Sequence, residues 1–357
     1  MHRESSQMTK ETRVDQNLVG IGNPCFVIAE AGVNHNGDLE KAIELASVAH
    51  RAGADAVKFQ LFNIEEQVSK FAESAPYQRK GAGQKTMTEM AKAYDLPWED
   101  HRVIAQHCKQ LGITYMASCF DSKAVDFLIN GIGADCIKVA SGEITNYPLL
   151  QHVAQTGKLI LLSTGMCSLK DVAGAVDHIQ SAGDSFIILL HCVSSYPALE
   201  EDVNLRAMTT LQEQFNMPVG YSDHTRGETA AIAAVTLGAV TIEKHFTIDN
   251  TLLGPDHAMS LNPRQLEKFV QAIRRTEALL GDGVKKPTKA ERKMQTYARR
   301  SIVASTTIKA NTLLTPSNIT LKRPATGIDP RFWGETIGRK TTVDISKDQP
   351  ITLDMLQ

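Results

Sequence analysis

The chain lacks any apolar run near the roughly 20 residues that a membrane-crossing helix needs, so a helical membrane protein is excluded. It also lacks a charge excess. The net charge is -2 at pH 7 and no long basic stretch occurs, which leaves little to attract nucleic acid or a membrane surface. No C-x-x-C pair is present. The cysteines, Cys25, Cys108, Cys119, Cys136, Cys167 and Cys192, mostly lie in or beside apolar runs. That is the pattern of buried thiols in a reducing cytoplasm, not of a disulfide or zinc framework. Residues 1–20 are polar and charged, without the apolar stretch of a signal peptide, and residues 1–21 read as a flexible leader.

What is present is a repeat of strand-length apolar runs. They are Phe26–Gly32, Ala56–Phe62, Thr114–Phe120, Cys136–Gly142, Leu159–Gly165, Phe186–Cys192, Pro218–His224 and Thr241–Thr247. Between them lie stretches with helical spacing, such as Leu39, Ala42, Ile43, Ala46 and Ala49 before Gly53. Strand and helix alternating in this way predict a parallel sheet. A doubly wound open sheet is one solution. The eight units, nearly all with polar residues at their C-terminal ends, favour a closed (β/α)8 TIM barrel over residues 22–283.

Those ends carry Glu30, Lys58, Gln60, Lys138, Ser141, Ser163, Thr164, Ser222, Asp223, His224, Glu243, Lys244 and His245, with Ser194, Ser195 and Tyr196 just after the sixth run. In a barrel all such ends face one mouth, where active sites form. One connection, Asn63 to about Trp98, is unusually long and holds Tyr77-Gln78-Arg79-Lys80 and Gly81-Ala82-Gly83. It reads as a lid or substrate wall, against the plainer reading of a surface insertion.

After Gly283 the composition shifts to a basic linker over residues 284–298 and then to short strands over residues 299–357. Here Ile308, Leu314, Thr315 and Ile319 recur as Ile345, Ile351, Thr352 and Leu356, at a constant spacing of 37 residues. This repeat predicts a small, pseudo-symmetric β-rich domain, with each Thr as the N-cap of a short turn.

The residue types suggest chemistry before any family does. His224 and His245 end consecutive runs, and neighbouring strands lie about 4.8 Å apart. Two imidazoles so placed can share one metal ion and leave open positions, as a Lewis acid requires. His35, His191 and His257 stand near the same mouth and rank lower. Lys58 and Lys138 with Ser141, Ser163 and Ser222 can hold a phosphate or phosphorylated carboxylate. A Schiff-base lysine is the alternative. Glu30 ends an apolar strand, where it can act as acid, base or water anchor, or simply pair with a lysine. Together these describe a metal-assisted enzyme acting on a phosphorylated small molecule, without naming the reaction.

Several segments carry a resemblance. Ile28-Ala29-Glu30-Ala31-Gly32-Val33-Asn34-His35-Asn36-Gly37, Val57-Lys58-Phe59-Gln60, Lys138-Val139-Ala140-Ser141-Gly142-Glu143, Leu162-Ser163-Thr164-Gly165-Met166, Gly220-Tyr221-Ser222-Asp223-His224, Glu243-Lys244-His245-Phe246 and Gly254-Pro255-Asp256-His257 resemble the sialic acid synthase family, whose members make neuraminate, legionaminate or pseudaminate. The tail, with Lys322-Arg323-Pro324 and Gly327, resembles that family's antifreeze-like (SAF, β-clip) domain. The resemblance implies condensation of phosphoenolpyruvate with the aldehyde of an N-acyl amino sugar, such as N-acetylmannosamine, giving a nine-carbon 2-keto acid and phosphate by C–O cleavage. The 2,4-diacetamido-2,4,6-trideoxymannose counterpart, or a pseudaminate-type product, is the alternative, and a non-catalytic carbohydrate-binding protein is the reading from a different class. It implies a divalent ion (Mn2+ or Mg2+, with Co2+ possible) on His224 and His245. Glu30 falls on the catalytic glutamate. Lys58, Lys138, Ser141, Ser163, Ser194 and Ser222 fall on the phosphoenolpyruvate site, with Ser194 standing where some members have Asn. Gln60, Tyr196 and Asp256 fall on the sugar site. Arg323 falls on an arginine donated across a domain-swapped homodimer. A cytoplasmic location is the expectation set by the cysteine pattern.

Overall fold

In the computed structural model, the described residues are 11–62, Gln67, Ser69 and 94–357. The chain divides into two units, Met1–Gly281 and Asp282–Gln357. The proposed lid segment, Tyr77–Lys80 with Gly81–Gly83, lies outside the described residues.

The first unit is a closed barrel of eight parallel strands. They are β3 (Phe26–Gly32), β4 (Ala56–Leu61), β5 (Thr114–Cys119), β6 (Cys136–Val139), β7 (Leu159–Ser163), β8 (Ile187–Cys192), β9 (Val219–Asp223) and β10 (Thr241–His245). The ring closes where β10 pairs with β3, with Thr241 opposite Phe26 and His245 opposite Glu30. The eight strand-length runs seen in the sequence are these eight strands.

Side chains alternate across each strand, and this sorts every run into two environments. Val27, Ala29, Val57, Phe59, Ile137, Ile160, Leu162 and Leu189 pack with the surrounding helices in one large core. Phe26, Ile28, Ala56, Met116, Cys136, Leu159, Leu161, Ile188 and Leu190 form a second cluster of opposite strand parity, filling the lower lumen. Continuous apolar runs are what strands buried on both faces require.

Two further strands, β1 (Glu11–Val14) and β2 (Asn17–Gly20), form an antiparallel hairpin, with Val14 opposite Asn17. Val14 and Val19 are buried in the lumen cluster. Residues 11–20 are therefore a structural part of the barrel unit and not a flexible leader. Two buried valines, 1% and 0% exposed, give this short polar segment the apolar contact that holds it. Its turn passes through Asp15 at a positive φ of 48°.

Helix α1 (Leu39–Arg51) starts at Asp38, whose side chain accepts from the N–H groups of Glu40 and Lys41. It buries Ala42, Leu45, Ala46, Val48 and Ala49, the stripe expected of an amphipathic helix on a barrel. The last helix of this unit, α2 (Pro263–Leu280), begins with a capping box of Asn262 and Gln265 and buries Leu266, Phe269, Val270 and Ile273. No helix among the described residues is long and apolar enough to cross a membrane.

The second unit contains helix α3 (Lys289–Ala298), which has no buried residue, and the antiparallel pair β11 (Ser301–Ala304) and β12 (Ile319–Lys322). All six apolar positions of the 37-residue repeat, Ile308, Leu314, Ile319, Ile345, Ile351 and Leu356, lie in its core. Ile308 and Ile345 exchange both backbone hydrogen bonds at 2.8 Å, as a pseudo-two-fold pair would. The threonines differ from expectation. Thr315 bonds the Ser317 hydroxyl instead of capping a helix, and Thr352 precedes a 3-10 turn without a side-chain cap bond.

Candidate active site

The upper lumen is built from the positions of β3 to β10 that share the parity of the lower apolar cluster. The strands that carry Phe26 and Ile28 below carry Glu30 above, and those that carry Ala56 and Cys136 carry Lys58 and Lys138. Four charged groups meet there. Lys58 Nζ lies 2.6 Å from Glu30 Oε2 and 3.6 Å from Glu243 Oε2. Lys138 Nζ lies 3.4 Å from Glu243 Oε1. Lys58 also donates to Ser118 Oγ at 2.8 Å, and Ser222 Oγ donates to Glu243 Oε1 at 2.9 Å. Lys58 and Glu30 are each 2% exposed, so the charges stand or fall by pairing with one another.

The two carboxyls are not equivalent. Burial pushes Glu30 up to about 7, opposed by Lys58 and reinforced by the Glu243 charge. Burial also acts on Glu243, but Lys138, Lys58 and the Ser222 hydroxyl outweigh it and hold this carboxyl below the usual range. Glu243 has two ammonium neighbours and a hydroxyl donor, whereas Glu30 has one ammonium, so a proton entering the pair goes to Glu30. With Glu30 neutral, two lysines face one carboxylate and the cluster has a surplus positive charge. An anion entering the lumen supplies what is missing.

The imidazoles lie beside this cluster. The His224 and His245 rings are 5.7 Å apart between centroids. His224 Nδ1 is 2.7 Å from the Val193 carbonyl oxygen. That oxygen can only accept, so Nδ1 carries the proton and the Nε2 lone pair is left free for another partner; Ser222 Oγ is 3.4 Å from it. His245 Nδ1 is buried and has no hydrogen-bond partner among the described residues, with Asp256 Oδ2 at 3.9 Å. Burial lowers both histidines, His245 well below its usual range with the neighbouring His224 adding to the effect. Both rings are thus held neutral, the state that binds metal. This donor set fits a divalent cation held on two nitrogens with its other positions open. Among the described residues no group of three His, Cys, Asp or Glu is placed to enclose one.

The serines gather around Gly165. A side chain there would place its Cβ 2.3 Å from Ser194 Oγ, 2.9 Å from Ser141 Oγ and 2.8 Å from Cys192 Sγ, and so would displace all three groups. The Gly165 N–H donates to Ser141 Oγ at 3.0 Å. Ser163, at the end of β7, has a buried hydroxyl with no hydrogen-bond partner among the described residues. A second cradle surrounds Gly32, at φ +53°, where a Cβ would meet Glu30 Oε1 at 3.3 Å, Gln60 Nε2 at 3.5 Å and Asp256 Oδ2 at 3.7 Å. Burial raises Asp256 to about 6. The Tyr196 ring lies against His224 at 4.1 Å between centroids, tilted by 36°, and meets His245 edge-on at 5.9 Å.

The barrel therefore brings together Glu30, Lys58, Gln60, Lys138, Ser141, Ser194, Tyr196, Ser222, His224, His245 and Asp256, with Ser163 at the end of the neighbouring β7. Arg323 lies exposed in the second unit just after β12. Some polar strand ends do not face the mouth as expected. Asp223 and Lys244 have the opposite parity and pair outside the barrel wall at 2.8 Å. His191 also turns outward, stacking on Tyr221 and bonding the Val203 carbonyl at 2.7 Å. His257 ties two loops together, with Nδ1 2.7 Å from Thr247 Oγ1 and Nε2 3.0 Å from Asn36 Oδ1. His35 accepts from the Gly37 N–H.

Two members of the cluster carried no role in the sequence reading. Glu243 stands two residues before His245, hence on the same strand face, and that alternation was the available signal. Ser118 occupies the inward position of β5, in register with Gln60 and Lys138.

Residues 45–285 match the NeuB family and residues 299–357 match the SAF domain. The chain is 44% identical to the N,N'-diacetyllegionaminic acid synthase of Legionella pneumophila, over 92% of this chain and 93% of that protein. It is 42% identical to the protein of the same name from Campylobacter jejuni, over 91% of this chain and 98% of the other. A crystal structure of N-acetylneuraminic acid synthetase from Leptospira borgpetersenii, in complex with citrate, superposes with a TM-score of 0.72 at 35% identity, covering 80% of this chain and 95% of that one.

Proposed function

The chain belongs to the NeuB family and carries a SAF domain at its C-terminal end, and from this premise we propose that it condenses phosphoenolpyruvate with the open-chain aldehyde of an N-acyl amino sugar. The products are a nine-carbon 2-keto acid and inorganic phosphate. The observation that carries the reading is the convergence of Lys58, Lys138, Glu30 and the two neutral imidazoles at one barrel mouth.

Each group has a task that its surroundings allow. Lys58 and Lys138 attract the phosphate and carboxylate of phosphoenolpyruvate, and the hydroxyls of Ser141, Ser163, Ser194 and Ser222 complete its hydrogen bonds. The enol C3 attacks the aldehyde carbon, water adds at C2, and phosphate departs with its bridging oxygen. Glu30, titrating near neutrality, is suited to orient that water and accept its proton. Gln60, Tyr196 and Asp256 meet the sugar hydroxyls. His224 and His245 would hold the divalent cation, Mn2+, Mg2+ or Co2+, which when bound supplies Lewis acidity to the carbonyl under attack. The reading extends to Arg323 meeting the sugar's acyl group from the partner chain of a domain-swapped homodimer. Truncation after residue 284 is then expected to abolish sugar turnover; a fully active truncated barrel would remove that part.

N-Acetylmannosamine, giving N-acetylneuraminate, is the acceptor expected above. A second reading takes 2,4-diacetamido-2,4,6-trideoxymannose to N,N'-diacetyllegionaminate, and the 44% and 42% identities to the two legionaminic acid synthases favour it. The test is phosphate release by the full chain with Mn2+, phosphoenolpyruvate and each sugar in turn. Release is expected only when a sugar is present, with one of the two clearly preferred. Phosphate release with neither sugar overturns the synthase reading, and turnover of only one decides between the acceptors.

A further inference from the structure

The two site histidines have neighbours whose arrangement the proposed chemistry does not use. Asp223 precedes His224 and Lys244 precedes His245, and alternation sends both outward while the imidazoles point inward. Asp223 and Lys244 face each other as register partners of β9 and β10. Lys244 Nζ lies 2.8 Å from Asp223 Oδ2, with the side chains 3% and 0% exposed. The same ammonium donates to the Thr225 carbonyl at 2.5 Å. The other Asp223 oxygen, Oδ1, accepts the Thr225 N–H at 2.9 Å and its hydroxyl at 2.7 Å. Residues 223 and 225 are thus both fastened to Lys244, and His224 sits between them. Phe269 of α2 closes the outside, its ring centroid 5.7 Å from Nζ.

A buried ion pair in such a layer is a poor source of stability, since desolvation offsets most of the attraction and an apolar pair of similar volume does as well. What it supplies is geometry. Two charges joined by directed hydrogen bonds restrict the relative placement of the strand ends more narrowly than an apolar pair would.

We propose that Asp223 and Lys244 are positioning residues, a clasp on the outer wall that fixes the separation of His224 and His245 so that the two rings can hold one divalent cation. The inference rests on the metal reading of that site. Small shifts in how outer groups orient ligating histidines are known to matter at the level of about 10–100-fold in metal affinity.

The barrel contains its own control. Arg274 of α2 pairs with Asp55 at 2.5 Å and donates to the Cys25 carbonyl at 2.6 Å, near the opposite ends of the strands. The experiment is calorimetric titration of Mn2+ into the metal-stripped full chain, with Tm measured in parallel. Lys244→Met and Asp223→Asn are each expected to weaken Mn2+ binding by about tenfold or more and to lower kcat while the KM for phosphoenolpyruvate stays near wild type. Arg274→Met is expected to lower Tm and leave Mn2+ binding unchanged. Should Lys244→Met fail to fold, Asp223→Asn, which keeps the side chain's size, gives the same reading. Unchanged Mn2+ binding in a folded clasp variant overturns the proposal, as does an equal loss in Arg274→Met. A wild-type chain that takes up no Mn2+, Mg2+ or Co2+ removes the metal reading and this inference with it, whereas uptake retained by every variant removes the inference alone.

Discussion

The lower and upper halves of the barrel lumen come from the same strands and obey opposite rules. Below, Ile28, Met116, Leu161, Ile188 and Leu190 meet as an apolar cluster that also takes in Val14 and Val19 of the hairpin. Above, at the next inward positions of those strands, stand Glu30, Ser118, Ser163, Cys192 and the charged groups around Lys58. The lower half is complete without a ligand. The upper half is not: Ser163 Oγ and His245 Nδ1 are buried without hydrogen-bond partners among the described residues, and two ammoniums crowd one carboxylate that burial cannot protonate. Buried polar atoms cost free energy when unsatisfied, so a fold that keeps them gains something other than stability. One strand step, about 7 Å over two residues, thus separates residues that hold the barrel together from residues that wait for a substrate.

The sharpest test exchanges single residues across that step on β3. Glu30→Gln keeps shape and loses the titrating group. It is expected to lower kcat by about a thousandfold, equivalent to about 4 kcal/mol of barrel chemistry at 1.36 kcal/mol per decade. Its effect on Tm should be small. Ile28→Ala, two residues earlier and fully buried, is expected to cost about 2–5 kcal/mol of stability with KM for phosphoenolpyruvate unchanged. Denaturant melts and steady-state kinetics on both variants check the pair. A dead Ile28→Ala chain of normal stability, or an unstable Glu30→Gln chain of normal activity, would show that the two halves are not separate.

The pH dependence sharpens the same division. Glu30 titrates in the folded chain near 7, above its ordinary value of about 4.3. The folded state therefore binds the proton more tightly than the unfolded chain. The stability this group contributes is fully present below about pH 4.3 and is lost as pH rises towards 7. Buried His35, lowered to about 3, and His101, a buried residue of the helix Trp98–Leu111, lowered to about 4, have the opposite sign: their contribution is present above about 6.5 and disappears as pH falls through those values. Removing Glu30 should make the stability of the chain climb more steeply between pH 5 and pH 7, approximately the window spanned by these shifts. Urea midpoints at a series of pH values for wild type and Glu30→Gln check the slope; identical slopes would mean that Glu30 is not held protonated in the fold.

How much of this was legible beforehand depends on whether the signal was periodic. The eight strands and the outward core follow from runs and spacing, and the polar ends of those runs gave the mouth. What periodicity could also have supplied is facing. Counting in twos from His245 reaches Glu243 and passes over Lys244, and counting from His224 reaches Ser222 and passes over Asp223, so the inward set and the outward clasp were both within reach. The hairpin was not. Residues 11–20 carry only Val14 and Val19 as buried apolar side chains, and nothing in a stretch that polar reveals that the open end of a barrel will accept it. The ion-pair network was equally hidden, because which lysine meets which carboxylate depends on barrel closure and on registers between strands distant in sequence, such as His245 with Glu30.

The smallest effect is the most discriminating. Ser163 is 2% exposed and its hydroxyl has no hydrogen-bond partner among the described residues. Were it a structural residue, replacing it by Ala would cost about 1 kcal/mol or more, as for a typical lost hydrogen bond. Here no bond is lost and a desolvated hydroxyl is removed, so Ser163→Ala is expected to leave stability unchanged within about 0.5 kcal/mol or to raise it slightly. The same variant should raise the KM for phosphoenolpyruvate severalfold, because the hydroxyl is one of the groups left over for the phosphate or carboxylate. A clear fall in Tm together with an unchanged KM would place Ser163 with Leu159 and Leu161 below it on the same strand, as part of the scaffold, and would move the boundary between the two halves of the lumen up by one residue pair.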